Sequence, residues 1–155
     1  MLRYLFRTAV AWTAIGLIGG LAYREVTKLN DFTGRTQLAF VHTHALALGT
    51  LLPLILLALT ATLAGLGTSA RMTWGVHLLN AGLVLTVGML SYKGTLQVLG
   101  AEWADSPAIA GVSGLGHMTL TAAFIFLLLA IGTAVKNTHA PGSAQPSEGK
   151  VQPNG

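Results

Sequence analysis

The chain has 155 residues, of which 52% are hydrophobic and 9% charged, with a net charge of +4 and a mean hydropathy of +0.63. Soluble domains carry about a quarter charged residues, so this composition excludes a water-soluble fold. Nine basic residues scattered against five acidic ones make no basic face, which excludes nucleic acid as a partner. The absence of cysteine excludes disulfides, thiolate metal sites, iron–sulfur clusters and covalently attached haem.

A hydrocarbon core of about 30 Å is crossed by roughly 20 apolar helical residues. In chain order, the apolar stretches predict spans over residues 5–23, 37–64, 74–99 and 108–135. Residues 24–36 read as a polar loop, 65–73 as a short turn, and Glu102, Asp105 and Pro107 mark the third connection. The first span ends in Tyr23-Arg24-Glu25 without a small-residue cleavage site, so it reads as a retained helix rather than a signal peptide. Gly16-x-x-x-Gly20 within it is a helix-packing pattern. From Asn137 onward Pro, Gly, Ser, Gln and Asn dominate, which predicts a disordered tail over 137–155. The expected architecture is all-α: a four-helix, up-down-up-down bundle inserted in the cell membrane. Arg3, Arg7, Arg71 and Lys136 flank one side, and Arg24, Lys28 and Arg35 the other, which favours cytoplasmic termini.

Ionisable side chains inside a span are costly and mark functional positions. Here they are His42 and His44 on the second span, His77 and Lys93 on the third, and His117 on the fourth. At about 1.5 Å per residue, His42, His44, Lys93 and His117 all lie roughly 8–13 Å in from one membrane face, whereas His77 lies near the other. His42 shares its helix stripe with Ala45 and Gly49, and His117 with Gly114 and Thr121. Small neighbours of this kind leave room for a flat group. His44 points about 200° away from His42, so only one of the two shares a site with His117.

These placements predict a non-covalent haem b between diagonal second and fourth helices, with His42 and His117 as axial ligands. Lys93, with Arg24 or Arg35, would then balance the propionates. Two other readings use the same residues. His44, His117 and His42 would bind copper or zinc for metal delivery. Alternatively, Lys93 and the histidines would relay protons or anions in a small transporter or channel subunit. No nucleophile–base pair, phosphate loop or intramembrane carboxylate pair argues for an enzyme. The expected partners are the bilayer, haem, a respiratory-chain or quinone partner, and a second copy of the chain.

Several strings carry a resemblance: Val41-His42-Thr43-His44-Ala45-Leu46-Ala47-Leu48-Gly49 after Tyr23-Arg24-Glu25 and Phe32-Thr33-Gly34, then Lys93-Gly94 with Gln97 to Gly100, and Gly111 to His117. Together they resemble a family of small four-helix bacterial membrane proteins with no assigned activity. More distantly, Val41-His42-Thr43 resembles the second-helix segment of the catalytic subunit of haem-copper oxidases and nitric oxide reductases. That resemblance implies a low-spin haem ligand at His42. The chain has only a fraction of that subunit's helices and no histidine set for its copper centre, so it implies a haem site without oxygen or nitric oxide reduction.

Overall fold

A computed structural model describes residues 1–138. Among them every regular element is helical. Four helices are long and apolar enough to cross a membrane: α1 (Leu2–Leu29), α2 (Gln37–Thr62), α3 (Ala70–Val98) and α4 (Pro107–Thr138). The expected tail lies outside the described residues apart from Asn137 and Thr138, which continue α4.

Three helices overrun the expected spans, most of all α1, whereas α2 stops two residues short of its expected end. Residues 24–29, read as loop from the sequence, are helical because Val26 still packs on the core while Arg24 and Glu25 pair on the outside at 2.7 Å. The helix stops at a left-handed Asp31 (φ 48°), and the Phe32 amide donates back to the Thr27 carbonyl at 2.9 Å. Aspartate is one of the few residues that adopts this conformation readily.

Helix α2 is not uniform. It opens with a 3-10 turn over Gln37–Phe40, whose Leu38 amide donates to the Thr36 hydroxyl, then becomes α over Val41–His44. Ala45–Leu51 widens into a π-helix before α geometry resumes at Leu52. The sequence reason is Pro53. A mid-helix proline has no amide to donate, and its ring collides with the carbonyl four residues earlier, here that of Gly49. Widening the preceding turns relieves that collision. Pro53 itself is buried.

Helix α3 is the shared wall. On one side α4 packs along its length: Gly75 and Gly82 of α3 meet Leu127 and Leu120, and Gly116 of α4 meets Thr86. Those pairs run in opposite chain order, so the two helices are antiparallel. On the other side Thr36 Oγ1 donates to the Gly94 carbonyl at 2.7 Å, and the Gln37 amide donates to Gln97 Oε1 at 2.8 Å. Helix α1 reaches the same wall through Trp12 Nε1, which donates to Asn80 Oδ1 at 2.9 Å. Between α1 and α2, Gly16 faces Leu46, Gly20 faces His42, and Trp12 fills the space at Gly49. The Gly16/Gly20 packing pattern is therefore used within the chain.

Helix α4 has no comparable contact with α1 or α2. A square bundle would bring α4 against α1. Here α4 leans on α3 alone, and a groove remains between α2 and α4 with α3 as its floor.

Candidate functional site

The groove holds a cleft of about 140 Å³ lined by Gln37 of α2, Thr86, Met89, Leu90 and Lys93 of α3, and Ala110, Ser113 and His117 of α4. Each polar lining residue arrives by a local rule. One side of α3 carries Thr86, Met89 or Leu90, and Lys93 at successive turns. One side of α4 carries Ala110, Ser113 and His117 at intervals of three and four residues. The cleft thus joins Lys93 and His117, two of the residues that depth along the sequence had put in one layer.

The His117 ring is exposed, and its Nδ1 lies 3.0 Å from the Ser113 carbonyl. A carbonyl can only accept, so Nδ1 carries a proton, and in the neutral ring Nε2 is the nitrogen with the lone pair. The Lys93 ammonium is held by Asp105 at 2.9 Å, its side chain only 23% exposed against 81% for the carboxylate. Arg24 and Arg35, expected to share its role, are exposed, and Arg24 pairs with Glu25.

Thr86 was not singled out from the sequence. Ser91, Thr95, Ser113 and Thr121 each donate to the carbonyl four residues back. Thr86 does not: it is 2% exposed, and its Oγ1 is buried without a partner, close to Gly116. A buried hydroxyl left unpaired is uncommon in native structures. No sequence pattern separates Thr86 from the other helical threonines.

The α2 histidines part company. His42 lies beside Gly20 on the α1 side, with Nδ1 buried and unpartnered. His44 is half-buried, and its Nδ1 sits 2.9 Å from the Phe40 carbonyl. Gly49, expected to leave room for a flat group, is filled by the Trp12 indole. Gly114 is exposed, with open space over its Cα. His77 lies elsewhere, its Nδ1 3.3 Å from the Tyr4 hydroxyl and its ring 5.3 Å from the tyrosine ring. Among the described residues no group of three or more His, Asp or Glu side chains gathers where a metal ion would be held.

No curated protein and no solved structure matches the chain. A family model described as a protein of unknown function, DUF2871, matches residues 2–134, which takes in α1, α2, α3, α4 as far as Ala134 and every residue lining the cleft. The chain belongs to the DUF2871 family.

Proposed function

We propose that this is a multi-pass cell-membrane protein that binds haem b in the groove between α2 and α4 and serves in electron transfer or in sensing haem or a gaseous ligand. The observation that carries the reading is His117: an imidazole inside an apolar helix, its Nδ1–H spent on a backbone carbonyl and its Nε2 free. Metal-bound histidines are commonly fixed in this way. The donor set fits the group. His117 would supply one nitrogen, a histidine of the Val41–His44 segment would supply the other, and Lys93 would supply positive charge for a propionate. The enclosed part of the cleft is smaller than the roughly 300 Å³ of ordinary cofactor pockets, so a porphyrin would be bordered by lipid on its outer side. When bound, haem supplies one-electron chemistry; the chain's part is to hold, orient and shield it.

The bilayer placement has its own support. Trp74, exposed near the start of α3, and the Tyr92–Trp103 ring pair near its end stand about 27 Å apart along the helix at 1.5 Å per residue. Aromatic residues favour both membrane interfaces, and this separation approaches the hydrocarbon thickness. Lys93 and Asp105 would then lie at one interface, with Thr86 and His117 inside the apolar slab. At the other end Met1 lies beside Gly67, and Arg71 bonds Thr133 at 3.3 Å. An up-down-up-down crossing with that end in the cytoplasm is therefore proposed. Reporter fusions after Gly67 and after Lys136 should both report the cytoplasm; disagreement between them would discard the four-span reading.

The test of the cofactor is the visible spectrum of detergent-purified protein from haem-replete cells, before and after dithionite. A six-coordinate b-type spectrum that sharpens on reduction is expected. Protein that carries no porphyrin would sink the haem reading.

A further inference from the structure

We infer that His44, and not His42, is the α2 side chain that faces His117 across the groove; as a ligand assignment this rests on the haem reading above, but as a statement of which residues face one another it does not. It departs from what the oxidase resemblance implies, which is His42.

The first argument is the position of the ring proton. His44 and His117 are built alike: each ring Nδ1 donates to the carbonyl four residues earlier, Phe40 and Ser113 respectively. In the neutral ring each therefore presents Nε2, with its lone pair, away from its own helix. His42 has no such bond, and its buried Nδ1 meets no partner.

Direction gives the second argument. Gln37 lines the cleft, which marks the groove-facing side of α2. The 3-10 turn from Gln37 to Phe40 makes roughly one full rotation, and the four α-helical steps to His44 add about 400°. His44 thus points within about 40° of Gln37. His42 points about 200° from His44, and its ring does lie on α1, beside Gly20.

Depth is the third. Leu38 of α2 sits against Gly94 of α3, and Gly116 of α4 sits against Thr86. Thr86 is eight residues, or about 12 Å, nearer the start of α3 than Gly94. From Leu38 to His44 the chain climbs two 3-10 steps and four α steps, about 10 Å in the same direction. His44 and His117 therefore share a level, on two helices without extensive contact, with the unpaired Thr86 hydroxyl on the cleft wall at that level.

A cysteine-free chain makes a direct test available. Full-length protein carrying His44→Cys with His117→Cys, and separately His42→Cys with His117→Cys, is treated in native membranes with a short bis-maleimide. Internal cross-linking is read as a mobility shift. Cross-linking of the His44 pair at several times the rate of the His42 pair is expected; equal rates, or a faster His42 pair, overturn the assignment whether or not the protein carries haem. On protein that does carry haem, His44→Ala should lose the six-coordinate spectrum and bind carbon monoxide, while His42→Gln should keep six-coordination. Loss of six-coordination in a monodisperse His42→Gln variant, with His44→Ala unaffected, also overturns it. Wild-type protein without porphyrin, together with fast His44 cross-linking, would remove the haem reading and leave the facing pair standing.

Discussion

Gly94→Ala is expected to be the most destabilising single-methyl change in the chain. A β-carbon at this position would overlap the Leu38 amide nitrogen and crowd the Gln37 carbonyl carbon, both backbone atoms, which cannot rotate aside. The α2–α3 contact would have to open, and with it the 2.7 Å bond from Thr36 Oγ1 to the Gly94 carbonyl and the bond between the Gln37 amide and Gln97. Inserting even one methyl into a tight contact costs about 1–3 kcal/mol, and the two long-range hydrogen bonds put this site at the upper end. Thermal unfolding in mild detergent is the measurement. Gly88→Ala is the control on the same helix, because nothing lies within 4 Å of the β-carbon it would add. Equal melting temperatures for the two variants would mean that α2 and α3 do not meet at Gly94.

Substitution of His117 should have the largest effect on cofactor content. If its Nε2 is an axial ligand, His117→Ala leaves one coordination position without a protein donor, and the purified variant should either carry little haem or bind carbon monoxide where the wild type does not. Added imidazole should restore the six-coordinate spectrum, which a merely misfolded variant would not allow. His77→Ala should change nothing, since that ring packs on Tyr4 at the far end of α3, 16 residues or about 24 Å from Lys93. Unchanged haem in His117→Ala would remove α4 from the site. Loss of haem in a folded His77→Ala variant would show that the layer at the Lys93 end is not the binding level.

How much of this was readable in advance depended on how local each cause was. Four apolar stretches separated by Gly, Pro and charged residues point to four long helices with little ambiguity, because the length of an apolar run needs no knowledge of its neighbours. The grouping of Lys93 with His117 was equally legible. Depth along alternating helices is simple arithmetic on the rise per residue, and the cleft lined by both residues agrees with it. The seven-residue π-helix ahead of Pro53 was not among the expectations, which held one uniform span over 37–64.

The tertiary structure alone decided which surfaces meet. Small residues permit close approach but do not name what approaches: Gly49 read as room for a flat ligand and holds an indole, while Gly114 faces open space. The same indifference left α4 free to pack on α3 alone instead of closing a square bundle. The two histidines of Val41-His42-Thr43-His44 show the limit most clearly. Their 200° separation follows from the sequence. That His42 is the one facing α1 is seen only where Gly20, more than twenty residues away, lies against its ring. Composition and helical period act along the chain and are visible in it; the facing of a side chain is settled by residues distant in sequence, and only the packed fold brings those together.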